Sequence, residues 1–453
     1  MTDPDRLRPW ERAGLFAGLL LVAAFGVLVE VRSAFQTTRR TDLGVYTRAG
    51  WAAAHADDLY FLVDDHGWHY CYPPPFAVLM IPLAEPYPWL PPGGPVPFPV
   101  SVAVWYLVSV GGLAYAVHAL ARAVLPDARR WSRRWWYART VPVYVCLGGI
   151  GHTLGRGQVN LFVVALIAAG FAAGVRGRRV LSGAWLAAAA TVKVIPGLLV
   201  LDPLVRRDWR ALAGGAAAAV VLLGVVPAAV WGPAGAVELN RRMVEVVLAP
   251  ALASGGDATR AEELHGAKAT DSQSVRAAVQ AWLYPDRDAR PDEPDPRATA
   301  AHWVSGGVML GLTAWVGARR LTPAPADRLA YLGCLCGLML LLTPVSHMHY
   351  YAFALPLAAG LWLRGLAARP GACSADPRTT LALAAWGVLT AVPLLPGPVF
   401  DRLRECGLGP AATVGLWAFG LAALARAPRA ASIPTGRPWA FRPPFTPAGR
   451  PTR

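Results

Sequence analysis

The stretch A-L-A-G-G-A-A-A-A-V-V-L-L-G-V-V-P-A-A-V-W at residues 211–231 holds no charged side chain, and R-R-D-W-R at 206–210 stands directly before it. At about 1.5 Å rise per residue, a helix of that length covers the roughly 30 Å hydrocarbon core of a bilayer. Apolar runs of similar length recur at 14–29, 97–117 and 327–345, the last opening on Asp327 and Arg328. A single anchor on a soluble domain would need only one of them. The whole chain agrees: 16% of its 453 residues are charged and 55% are hydrophobic, with a mean hydropathy of +0.37. A soluble domain carries about 25% charged residues. The fold class expected is therefore an all-α polytopic membrane protein of roughly ten to twelve membrane segments.

The arginines orient those segments. Basic clusters at 129–139, 176–179, 206–210, 319–328, 364–369 and 426–453 read as cytoplasmic, because cytoplasmic loops carry the excess of Lys and Arg. With residues 1–12 also inside, the first run leaves the membrane near Val31 and reads as a retained helix rather than a cleaved signal. Outer loops are expected at 33–72 and 232–300, and a short helix over 42–55 is expected to lie along the interface. The segment 76–90, broken by Pro82, Pro86 and Pro88, is not expected to cross by itself. Residues 140–152 and 157–175 form a rising and a descending arm. Residues 180–204 suit a hairpin of two short helices with Lys193 near its tip. Further spans fall at 301–317, 327–345, 350–365, 379–396 and 409–425. The organisation expected is one membrane domain over 1–425 and a basic, Pro-rich, disordered cytoplasmic tail over 426–453.

The net charge of +15 belongs to this topology and not to a nucleic-acid surface, since no aromatic-basic platform accompanies it. The six cysteines show no paired C-x-x-C spacing, and His347 and His349 have no accompanying carboxylate. No zinc site is expected. The glycines of G-G-I-G-H-T-L-G-R-G-Q lack the strand and the terminal Lys-Ser/Thr of a nucleotide loop, so helix packing explains them better.

Polar groups at membrane depth are the candidates for function. On this topology Asp42, Gln158, Asn160, Arg276, His347 and His349 all reach the outer side from distant parts of the chain. Asp42 in T-D-L-G-V-Y reads either as a helix N-cap or as a general base, with the cap favoured on spacing alone. Asp57, Asp58, Asp64 and Asp65 in the same loop read as ordinary solvated residues. Lys193 has no carboxylate within one helical turn, which leaves a distant acid or an anionic ligand as its partner.

Several stretches, in order, resemble glycosyltransferase family 87, the polyprenol-phosphate-sugar-dependent enzymes of the membrane GT-C fold. They are D-L-G-V-Y (42–46), L-Y (59–60), Y-P-P-P-F-A-V-L-M-I-P-L (72–83), G-Q-V-N-L (157–161), S-G-A-W-L-A-A-A-A-T-V-K-V-I-P (182–196), S-Q-S-V-R (272–276) and L-L-T-P-V-S-H-M-H-Y (341–350). The resemblance implies transfer of a hexose, mannose by expectation, from a polyprenyl-phosphate carrier to a glycan or glycolipid on the extracytoplasmic side of the plasma membrane. The partners implied are the lipid bilayer, that donor and that acceptor; no cofactor and no metal are implied. Asp42 matches the family's base. Tyr46, Tyr72, Gln158, Asn160, Lys193, Gln273, Arg276, His347 and His349 are the expected substrate-binding residues, with Lys193, Arg276 and His349 facing the departing phosphate. A transporter or flippase of a lipid-linked substrate is the alternative reading.

Overall fold

The computed structural model describes residues 6–36, 39, 41–87, 94–252, 272–291 and 293–426. Asp271, Lys268 and all but the first residue of the expected tail lie outside them. Among the described residues the chain is helical, apart from one isolated bridge between Val63 and His69. This is the all-α class that the composition demands.

Four helices are long and apolar enough to cross a membrane: Phe98–Val124, Trp209–Leu252, Pro325–Leu342 and Leu408–Ala425. The pair Pro377–Leu394 and Pro398–Glu405, bent by 120°, makes a fifth if it is one span. The other expected segments form as shorter or broken helices. In chain order the elements begin with α1 (Pro9–Gly26, prolonged by a π turn over Val27–Val31), α2 (Leu43–Ala54), α3 (Pro74–Leu79) and the long α4 (Phe98–Val124). After them come α5 (Arg133–Val145), α6 (Leu147–Gly155), α7 (Asn160–Val175) and α8 (Arg179–Val192). The expected hairpin is present: α8 rises to Lys193, and a 3-10 turn (Ile195–Val200) with α9 (Leu201–Val205) returns.

The helix at 209 reaches the expected end at 231: α10 (Trp209–Val220) passes through a π turn at Val221–Val225 into α11 (Val226–Met243), whose backbone is broken at Gly232, and a second π turn at Val244–Leu248 leads on to α12 (Ala249–Leu252). Asp208 starts it by accepting from the Ala211 N–H at 3.2 Å. Pro227 lacks an N–H, and the Leu223 carbonyl that it leaves open accepts from Asn240 Nδ2 at 2.8 Å. Gly232, with φ of 72° and ψ of 168°, ends the first helix before Pro233, and the chain folds back along it. The rest of the described outer segment holds α13 (Val275–Leu283) and the start of α14 (Pro296–Arg320). Then come α15 (Pro325–Leu342), a 3-10 turn over Met348–Ala354 and α16 (Leu355–Ala367). The chain closes with α17 (Pro377–Ala391), α18 (Pro398–Glu405) and α19 (Leu408–Ala425).

α15 is buried along nearly its whole length and forms the centre of the bundle. It sits close to α16 because a Cβ at Gly360 would fall 2.7 Å from Ala330 Cα. Small residues of this kind let apolar helices meet backbone to backbone.

The arginine clusters gather at one end of the bundle. Arg133 Nε donates to Glu11 at 3.1 Å, Arg134 to the Leu366 carbonyl at 2.9 Å, and Arg364 to Asp327 at 2.6 Å. α1 begins at this end and finishes at the other, where Glu30 meets the Thr41–Asp42 segment.

Two loop expectations are corrected. Residues 43–53 do not lie along an interface: α2 is buried on almost every side, with Gly50 so close to α3 that a Cβ would stand 2.5 Å from Met80 O. The neighbouring aspartates are not merely solvated. Asp64 is buried and accepts from the His66 and Trp68 N–H groups at 2.7 and 3.0 Å. Burial raises its carboxyl above the usual range. Asp65 is pushed up by burial too, but its hydrogen bond from the Arg48 guanidinium outweighs that and holds it below the usual range. Asp58 pairs with Arg242, and Asp57 accepts from Tyr87 at 2.8 Å.

Candidate active site

Asp42 stands at the N-terminus of α2, where a capping role was the favoured expectation. The structure gives that role to its neighbour. The Leu43 N–H donates to Thr41 Oγ1 at 3.2 Å, and Asp42 makes no cap hydrogen bond with its side chain. Thr41 is itself held by Glu30, to which its hydroxyl donates at 2.9 Å. The Asp42 backbone N–H is fixed on the Arg156 carbonyl at 2.9 Å. The carboxylate is thus left free for other partners. Gln158 Nε2 donates to Oδ2, and Arg156 Nε lies 3.7 Å from Oδ1.

Gln158 presents its amide in one sense only. Its NH2 faces Asp42, and its carbonyl oxygen accepts from Tyr46 at 3.1 Å and from Tyr72 at 3.2 Å. The two phenols are 2.7 Å apart. Since a carboxylate cannot donate and a phenol can, this pattern fixes the amide without a protonated acid.

Asn160, at the first turn of α7, is the second node. Its Nδ2 donates to the His349 carbonyl, and Lys193 Nζ donates to its Oδ1, both at 2.9 Å. Thr153 donates to the same carbonyl at 2.9 Å. Lys193, 7% exposed, has no carboxylate partner among the described residues. Its ammonium lies 4.1 Å from the centre of the Tyr350 ring and 5.5 Å from that of Tyr72. It borders a cavity of ≈ 490 Å³ walled by apolar side chains, among them Leu198, Met243, Val247 and Leu252. Among the described residues no carboxylate lies within ion-pair distance of this lysine, and Asp42 acts on it only through space.

The histidines form a column. The His349 ring is stacked on His152 at 6.0 Å, on His347 at 5.5 Å and on Tyr350 at 4.8 Å, and Trp68 meets His347 edge-on at 6.0 Å. Buried His349 Nδ1 has no hydrogen-bond partner among the described residues. Gln273 and Arg276 sit on the adjoining segment, tied in where the Gln273 N–H donates to the Ser346 carbonyl. Both are buried, and burial lowers the Arg276 guanidinium to about 10, which leaves it charged at neutral pH. Gln273 donates to the Arg404 carbonyl at 3.1 Å. The structure therefore joins Asp42, Tyr46, Tyr72, Gln158, Asn160, Lys193 and His349 in one continuous network, with His347 against it. It sets Gln273 and Arg276 one segment away.

Sequence reasoning passed over Glu30, Thr41, His152 and Arg156. Glu30 carried a readable signal, an acid closing an apolar run. Arg156 and His152 were hidden inside a glycine-rich stretch read as packing.

The comparisons with known proteins bear on the whole arrangement. The description of glycosyltransferase family 87 matches residues 70–344, more than half of the chain. The chain belongs to glycosyltransferase family 87. It is accordingly a membrane glycosyltransferase, and the transporter reading gives way. The family-87 match includes Tyr72, Gln158, Asn160, Lys193, Gln273 and Arg276; Asp42 and Tyr46 precede it, and His347 and His349 follow it. A YndJ-like protein description matches residues 299–439. No curated protein matches. Among solved structures, ArnT from Cupriavidus metallidurans bound to undecaprenyl phosphate is similar at 14% identity and a TM-score of 0.40, over 90% of this chain and 78% of that one.

Gly157 provides a test of the site's geometry. Its φ is +63°, and a Cβ there would lie 2.5 Å from Thr41 Oγ1 and 2.6 Å from Glu30 Oε1. Gly157→Ala adds about 1–2 kcal/mol of backbone strain and pushes on the residues that hold Asp42. Gly67→Ala meets comparable strain at φ +81°, with nothing within 4 Å. Thermal unfolding is expected to show a loss for both variants, the larger for Gly157→Ala, while sugar-transfer assays show at least a tenfold loss for Gly157→Ala alone. Equal activities would mean that the contact with Thr41 and Glu30 does not position Asp42.

Proposed function

We propose that the protein transfers a hexose, mannose by preference, from a polyprenyl-phosphate carrier to a hydroxyl of a glycan or glycolipid on the extracytoplasmic side of the plasma membrane. One observation carries the reading: a buried lysine without a carboxylate partner stands at the head of an apolar cavity, against the Tyr72 ring, and Tyr72 leads through Gln158 to an aspartate freed from capping. The cavity suits an isoprenoid chain, and Lys193 suits the phosphate at its end. The reaction is a single displacement. The acceptor oxygen attacks the anomeric carbon from the face opposite the phosphate, and Asp42 takes the hydroxyl proton. The bond from anomeric carbon to phosphate oxygen breaks, and polyprenyl phosphate leaves with the electron pair beside Lys193, with Arg276 and His349 on the adjoining segments. The configuration inverts. Because the arginine-rich ends lie away from Asp42, the positive-inside rule supports an outward-facing site.

The test uses purified protein in liposomes with radiolabelled polyprenyl-phosphate-mannose and a crude acceptor lipid extract. New labelled glycosides are expected. Label transferred only from another hexosyl carrier would replace mannose as the sugar. Label crossing the bilayer with no new glycosidic bond would overturn the reading in favour of a flippase.

A further inference from the structure

Where α7 turns into α8, beside the start of α10, the chain leaves an open cavity of ≈ 990 Å³ lined by Arg178, Arg179, Val180, Leu181, Ala184 and Arg210. This turn lies at the arginine-rich end of the bundle: a Cβ at Gly174 would stand 3.2 Å from Arg328 Nη2, and the neighbouring Asp327 accepts from Arg364. No acid lines the cavity. The two aspartates of the 202–208 segment are already engaged. Asp202 accepts from Arg206 Nε at 3.1 Å, while Asp208 accepts from the Ala211 N–H and has Arg206 at 3.6 Å and Arg179 at 3.9 Å. Arg178 and Arg210 are exposed and have no acidic partner among the described residues. Beside these charges the surface is bare and apolar. Val180, Leu181, Trp185 and Trp209 are all exposed, and tryptophan favours the boundary between head groups and acyl chains.

We propose that this cavity binds an anionic phospholipid of the cytoplasmic leaflet, with its phosphodiester between Arg178 and Arg210 and its acyl chains along Val180 and Leu181. By the positive-inside rule this end faces the cytoplasm, where basic pockets between membrane helices hold anionic head groups. The forked donors of a guanidinium match phosphate oxygens in charge and in geometry. A soluble anion would use the arginines and leave the apolar wall uncovered. A zwitterionic lipid would cover the wall but bring a cation of its own to the arginines. The occupant also acts on the helices that hold it. α8 and α10 cross so closely that the Ala211 carbonyl leaves no room for a Cβ at Gly183, nor the Val180 carbonyl for one at Gly214. A phosphate shared by Arg178 and Arg210 ties the two helices together beside that crossing, and α8 leads directly to Lys193. The binding is independent of the reaction proposed for the other end of the bundle.

The experiment uses the full-length protein in detergent micelles supplied with phosphatidylglycerol, phosphatidylcholine or inorganic phosphate, and reads native mass spectra and thermal unfolding. Wild type is expected to retain one phosphatidylglycerol and no phosphatidylcholine, and to unfold at a higher temperature with the first lipid alone. The double variant Arg178→Gln/Arg210→Gln is expected to bind phosphatidylglycerol about tenfold more weakly, or worse, and to lose the thermal shift. Its unfolding in phosphatidylcholine should match that of wild type, because both side chains are exposed and hold no other residue. Arg369→Gln removes an exposed arginine of the same end from outside the cavity, and is expected to bind as wild type does. Undiminished retention in the double variant would place the lipid elsewhere and overturn the proposal. An equal loss in Arg369→Gln would also overturn it, by making the binding a property of the whole basic face. So would phosphatidylcholine retained as well as phosphatidylglycerol, which marks bulk lipid. Inorganic phosphate that displaces the lipid and reproduces the thermal shift would assign the arginines to a soluble anion instead.

Discussion

Asp42→Asn is expected to reduce sugar transfer by about 10²–10⁴-fold, the range over which a positioned general base acts, while binding of the polyprenyl carrier stays within a few-fold of wild type. The substitution keeps size and shape and removes only the ability to take a proton. It should hardly disturb the fold, because the side chain caps nothing: Thr41 receives the Leu43 N–H, and the Asp42 backbone holds the Arg156 carbonyl. An Asn carbonyl oxygen can still accept from Gln158 Nε2. The ion pair with Arg156, at 3.7 Å and with an arginine side chain 39% exposed, contributes no more than about 1 kcal/mol. Activity and stability are therefore expected to separate cleanly. Single-turnover transfer from preloaded donor measures the first, and thermal unfolding in detergent the second. An Asp42→Asn protein that transfers at the wild-type rate would remove Asp42 from the mechanism. The buried Glu30, another acid close by, is already engaged by Thr41.

The membrane class was readable because charge is absent from long runs, and the bilayer enforces that locally. The same holds for the basic end, since Arg133, Arg206 and Arg364 each sit where an apolar run meets a cluster of like charges. The expected end of the helix at 231 was legible for a local reason as well: Gly-Pro reads as a stop, and Gly232 takes non-helical backbone there. The site was legible only in its parts. Spacing shows that Lys193 lacks an acid one turn away, but Asn160, thirty-three positions back, becomes its partner through the packing of α7 on α8. The role of Asp42 was undecidable from T-D-L, because Thr and Asp are both good caps and only the path of the chain from Glu30 decides between them. The burial of α2 comes from α3 and the 57–72 loop folding over it. No periodicity within 43–54 encodes a cover supplied from elsewhere. The ring column pairs His152 with His349 across almost two hundred residues, beyond the reach of any local pattern.

Lys193→Met is expected to lower transfer by about 10²–10³-fold, the scale of losing one preorganised group at a developing oxyanion, and yet to leave the protein at least as heat-stable as wild type. The two directions have different causes. Methionine fills nearly the same volume and is at home beside Tyr72, Tyr350 and Phe353, the three rings around the ammonium. Removing a buried charge that no carboxylate balances recovers a desolvation cost of several kcal/mol. Against this, Asn160 Oδ1 loses its donor, which costs about 1–3 kcal/mol in a buried place. The first term is the larger, so the folded state should not suffer. In the reaction the balance reverses, because phosphate charge grows as the anomeric bond breaks and methionine offers it nothing. Lys193→Arg distinguishes charge from shape. It keeps the cation but brings a planar, longer group into a space bounded by aromatic faces, and partial recovery is expected where methionine gives none. Polyprenyl phosphate should raise the melting temperature of wild type and fail to raise that of Lys193→Met, since a ligand stabilises only the state that binds it. If the methionine variant retains both the transfer rate and the thermal shift, Lys193 is a structural cation and the donor phosphate lies elsewhere, Arg276 being the next buried charge to test.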